Sequence, residues 1–91
     1  MIDKYAIYIK VLDTYGAQAQ TLMCMEEMSE LQKELCKHAR GADNVHQIAE
    51  EIADVRIMLD QMELLHGCGV LVKDYEQVKL LRLERRLEGK K

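Results

Sequence analysis

Apolar residues recur at helical spacing through almost the whole chain, and glycines interrupt them. Residues 2 to 15 place Ile2, Tyr5, Ile9 and Leu12 on related faces, which predicts a first helix ending near Gly16. A second predicted helix covers residues 17 to 40, with Gly41 well placed as its stop. Asp43 or Asn44 can cap a third helix, which runs to about His66. The "GCG" at 67 to 69 reads as a tight connection, and a last helix covers roughly 72 to 88. The two central helices are joined by only a few residues, so they are expected to pack as an antiparallel hairpin. The pattern therefore predicts a single all-α domain over residues 1–91, a four-helix-bundle-like protomer built around that hairpin.

Composition sharpens this picture. Proline, Phe and Trp are absent, and Leu, Met, Glu, Gln, Lys and Arg, which lose little rotamer freedom in a helix, are abundant. A chain of 91 residues buries a modest fraction of its surface, so an oligomer is expected. The net charge of −3 argues against a nucleic-acid partner, which needs a basic footprint. No apolar run approaches the ~20 residues of a membrane span, and "MIDKYAIYIK" lacks the features of a secretory signal. Cys24, Cys36 and Cys68 form an odd set without C-x-x-C spacing, as expected of reduced thiols in a cytoplasmic protein.

Candidate chemistry lies in the acids of the central helices. With Glu51 set at zero on a helical wheel, Ile48, Ile52, Val55 and Leu59 fall at roughly 40° to 100°, and Met58 and Leu65 at roughly −20° to −40°. Glu51 thus stands in the apolar stripe, with Asp54 about one step beyond Leu65. Glu27 is flanked in the same way by Cys24, Met28, Leu31 and Leu35 on one side and Met23 on the other, and Glu34 and Glu30 follow at roughly −20° and −60°. Folding the hairpin brings these acids toward one another. Burying unpaired carboxylates is costly, and like charges add repulsion. Few basic residues share the stripes, which leaves protonation or a metal to offset the charge, unless the acids are ordinary solvated residues of amphipathic helices, where an E-x-x-E alone is common. Hard oxygen ligands favour Mg²⁺, with Mn²⁺ as a substitute. Di-iron bundles pair E-x-x-H motifs on two helices, and the sequence supplies no such pair, since Glu63 and His66 alone form that motif, at the end of the third helix.

The ordered pair "EMSE" (Glu27 to Glu30) and "EIAD" (Glu51 to Asp54), with 20 residues between, resembles the all-α nucleoside triphosphate pyrophosphohydrolases. The wider wording "EEMSEL…AEEIADVRIML" is similar to small, single-domain MazG-like proteins of bacteria and phages, over about residues 20 to 66. The resemblance implies that Glu27, Glu30, Glu51 and Asp54 bind Mg²⁺. It implies cleavage of a nucleoside triphosphate between the α- and β-phosphates, giving a monophosphate and pyrophosphate, with Glu27 or Glu30 orienting the water. It also implies a homodimer or homotetramer with sites at subunit contacts. Two other readings stand beside it. One is a catalytically silent helical-bundle interaction or regulatory protein. The other is phosphoribosyl-ATP pyrophosphohydrolase, from whose pattern "DVRIMLDQ" departs.

On the last helix Tyr75, Lys79, Arg82 and Arg86 form one row, at i, i+4, i+7 and i+11. Such a row suits triphosphate oxygens, because Arg offers forked donors and Lys a point charge. It equally suits a solvated face. Tyr5, Tyr8 and Tyr15 share a broad face of the first helix and are expected in a core or interface, as are the methionines of the central helices.

Overall fold

The computed structural model describes residues 1–90 and is all-helical, with α1 over Lys4–Tyr15, α2 over Ala17–Ala39, α3 over Val45–His66 and α4 over Gly69–Glu88. No strand occurs among the described residues. The helix α1 starts two residues later than its pattern suggests, because the Asp3 carboxylate accepts a hydrogen bond from the Ala6 amide at 3.1 Å and caps it. Gly16, at φ 90°, turns the chain directly into α2.

The ends of α2 and α3 share one device. Past α2, the Ala42 amide donates to the Lys37 carbonyl and the Gly41 amide to the His38 carbonyl. Past α3, the Cys68 amide donates to Glu63 and the Gly67 amide to Leu64. Both are Schellman turns, whose left-handed residue is glycine at φ 101° and φ 59°. The second turn ends α3 within two residues, so α4 begins at Gly69 and not at residue 72 as the sequence suggests. Only Gly67 and Cys68 connect the helices.

The helices α2 and α3 form the most extensive pairing. Their register is antiparallel, because Asn44 meets Glu34 near the loop and Gln20 meets Gln61 at the far end. The Gln20 Nε2 donates to Gln61 Oε1 at 2.8 Å, and both residues are buried. This pairing spares each the penalty of an unsatisfied amide. The helix α1 lies across the far end of the hairpin, where Tyr8 Oη donates to Asp60 Oδ2 at 3.1 Å and Lys4 reaches the same oxygen at 3.5 Å. The apolar core consists of Tyr8, Cys24, Val55 and Met58, and no large side chain is fully buried. Of the tyrosines expected in a core only Tyr8 is buried, while Tyr5, Tyr15 and the methionines Met23, Met25 and Met28 are exposed.

A four-helix bundle is not closed within one chain. The helix α4 approaches only α3 and has no buried residue. At ~100° per residue, Leu71, Tyr75, Val78 and Leu81 lie toward one side of α4 and Val72, Leu80, Leu83 and Leu87 toward the other. Leu80, Leu83 and Leu87 are more than half exposed. The solvent-accessible surface is 7641 Å², whereas a folded monomer of 10.6 kDa has about 5,500 Å² by size scaling. The radius of gyration, 16.4 Å, likewise exceeds the roughly 12 Å of a closed domain of this length. Among the described residues no helix is long and apolar enough to cross a membrane.

Candidate metal site

The hairpin register sets the site. With Gln20 opposite Gln61, the middle of α2 faces the first half of α3, and Glu27 arrives against Glu51 and Asp54, which lie one helical turn apart. One carboxylate oxygen from each of Glu27, Glu51 and Asp54 lies within 4.8 Å of the other two, and all three residues are half-buried. The fourth acid of the motif, Glu30, is exposed and outside this trio, although its charge reaches both Glu27 and Glu51. Its position about 60° round the helix from Glu27 puts it at the solvent edge of the seam.

Nothing basic neutralises the trio. The ion pairs among the described residues are Lys4–Asp60 and Lys37–Glu34, neither of which involves it. The Glu51 Oε2 atom is shielded from solvent and has no hydrogen-bond partner. Burial, then Asp54, then further acids including Glu30 raise the Glu51 carboxyl above the ordinary carboxylate range. Glu27 is raised in the same way, first by burial, then by the adjacent Asp54, and then by Glu51 and Glu30. Glu34, one turn beyond Glu30, behaves oppositely. The Asn44 amide, assisted by Lys37, holds it below the ordinary range despite burial. Three converging oxygens, mutual repulsion and an orphaned buried oxygen fit a hard divalent cation such as Mg²⁺ or Mn²⁺.

These shifts carry a pH dependence. A carboxyl raised in the folded state binds more protons folded than unfolded, between its unfolded value near 4.5 and its raised value. Stability therefore falls as pH rises through that window. Glu34 has the opposite sign, but its window lies below 4.5. Without divalent cations the melting temperature is expected to be higher at about pH 5 than at about pH 7, with millimolar Mg²⁺ removing or reversing the difference. Thermal melts at both pH values, with EDTA or with Mg²⁺, check this. An apo protein equally stable at both would contradict it.

The row on α4 is a different matter. Tyr75, Lys79, Arg82 and Arg86 are all exposed, on a helix that does not approach α2. The chain's own fold does not bring them to the acids. Sequence reasoning also missed a residue. Asn44 occupies the cap position of α3, yet its side chain turns away from that helix and donates through Nδ2 to both the carbonyl and the Oε1 of Glu34, each at 2.9 Å. Asparagine before a helix signals a cap, and nothing in the local pattern reveals a partner ten residues back. Compared with protein-family models, curated proteins and solved structures, the chain matches none.

Proposed function

We propose that this protein is a Mg²⁺-dependent nucleoside triphosphate pyrophosphohydrolase of the MazG-like type, cleaving between the α- and β-phosphates. The observation that carries the reading is the convergence of Glu27, Glu51 and Asp54 across the hairpin, with no basic partner and with Glu51 Oε2 orphaned. These three acids would hold the cation. When bound, Mg²⁺ would neutralise triphosphate oxygens and stabilise the charge of an in-line displacement. Glu30, at the solvent rim, is left free to orient the attacking water and accept its proton as pyrophosphate departs.

The same reading takes the working protein to be a homo-oligomer, a dimer or a tetramer. The uncovered apolar sides of α4 and the surplus surface support this, because a surplus of about 2,000 Å² per chain amounts to about 4,000 Å² over two chains, within the range of obligate homodimer interfaces. A second copy gives α4 the cover that its own chain does not. It also gives Tyr75, Lys79, Arg82 and Arg86 a route to triphosphate bound on the partner's acids, where forked Arg donors are suited to phosphate oxygens.

The test is product analysis over canonical and modified ribo- and deoxyribonucleoside triphosphates and phosphoribosyl-ATP, with and without Mg²⁺, measuring pyrophosphate and orthophosphate separately. The expected result is Mg²⁺-dependent pyrophosphate release. Orthophosphate alone would place the cleavage at another bond. No turnover across the panel would favour the silent helical bundle.

A further inference from the structure

Asn44 is an internal residue with an unusual set of partners. It is buried to more than nine-tenths, and its Nδ2 spends both protons on Glu34, one on the carbonyl and one on Oε1. Its Oδ1 is shielded from solvent and has no partner. Lys37 Nζ approaches the other carboxylate oxygen of Glu34 at 3.3 Å, and the Glu34 side chain keeps only 13% of its exposure. Glu34 is therefore fixed at both oxygens on the acid-bearing side of α2, about two turns beyond Glu27 toward the loop. A cap residue ordinarily turns its side-chain oxygen to the amides of the helix it begins. Here that interaction is given up, and the side chain clamps an acid on the neighbouring helix.

We propose that Asn44 is a positioning residue for the cation site, holding Glu34 so that its carboxylate adds a fixed negative charge at the loop end of the Glu27–Glu51–Asp54 cluster. The inference rests on the metal-binding reading above and deepens it. The two donors of an asparagine amide suit this role, since aspartate in its place would set two carboxylates against each other. Glu34 is not one of the ligands. It acts on the site through its charge, without touching the three acids.

The test is calorimetric titration of the full chain with Mg²⁺ alone, without nucleotide, for the wild type, Glu34→Gln, Asn44→Ala and the double variant, with apo melting temperatures alongside. Glu34→Gln retains an oxygen to accept from Asn44 Nδ2 and removes only the charge, so it separates the field from the architecture of the hairpin. The expected result is a loss of Mg²⁺ affinity of about three- to tenfold in each single variant. The double variant is expected to be no weaker than Glu34→Gln alone, because Asn44 acts through that charge. The apo melting temperature of Glu34→Gln should fall modestly, because Asn44 and Lys37 favour the ionised carboxylate. Unchanged affinity in Glu34→Gln, or losses that add in the double variant, would overturn the proposal while leaving the metal site standing. Absence of Mg²⁺ binding by the wild type would overturn both.

Discussion

Glu51→Gln is expected to abolish Mg²⁺-dependent triphosphate cleavage, lowering turnover by more than about a hundredfold, since loss of a ligand should exceed the ten- to hundredfold typical of its neighbours. The substitution keeps the shape of the side chain and removes its charge. It should also raise the apo melting temperature. The wild-type Glu51 sits among Asp54, Glu30 and Glu50 with one oxygen orphaned, so removing its charge relieves repulsion that only a cation would otherwise offset. The two effects together are diagnostic. A residue that merely supported the hairpin would lose activity and stability in the same variant. A cation ligand should lose activity and gain apo stability, and Mg²⁺ should then stabilise the wild type more than the variant. Matched melts and pyrophosphate assays on both proteins check this, and an apo Glu51→Gln protein less stable than the wild type would count against the electrostatic account.

The second large effect concerns α4. Leu83→Glu is expected to weaken self-association by about ten- to a hundredfold or more. Burying a leucine contributes roughly 1.5–3 kcal/mol, and each copy in a symmetric assembly loses it. Leu83 is about half exposed and lies on the same side as Leu80 and Leu87, on a helix with no buried residue. Gln77→Ala, on an edge between the two apolar sides, should leave assembly intact. Sedimentation equilibrium over a range of concentrations would read both. If the Lys79, Arg82 and Arg86 row serves the partner's site, Leu83→Glu should also raise KM for triphosphate while leaving Mg²⁺ affinity unchanged. A wild-type chain that stays monomeric at tens of micromolar would remove this whole line of argument.

How far the sequence anticipated these features depends on the range of the interactions. Helix existence was legible because apolar spacing and glycine stops are local, and the four helices lie close to where the pattern places them. The start of α4 was not, because a Schellman turn at Gly67 links the two helices in two residues, where "GCG" suggests three. The acid arrangement was legible up to a point. Wheel angles placed Glu27 and Glu51 inside their stripes and Glu30 furthest from Glu27, yet only the hairpin register separates the trio from the exposed fourth acid. Asn44 lay beyond reach, since its role is set by a carboxylate on another helix. The apolar residues of α4 were visible as a pattern. That α4 leaves both apolar sides uncovered is a property of packing, which no local signal records.

The account stands most directly on whether Glu27, Glu51 and Asp54 hold a divalent cation. The decisive measurement is titration of the metal-stripped wild-type protein with Mg²⁺, and with Mn²⁺ for comparison, at neutral pH without nucleotide, followed by heat of binding and by melting temperature. The account predicts saturable binding and a melting temperature that climbs with cation concentration, by an amount equivalent to about 2.7 kcal/mol at a hundredfold excess over Kd. A flat titration with an unchanged melting temperature would contradict it and leave a helical bundle whose clustered acids are simply tolerated.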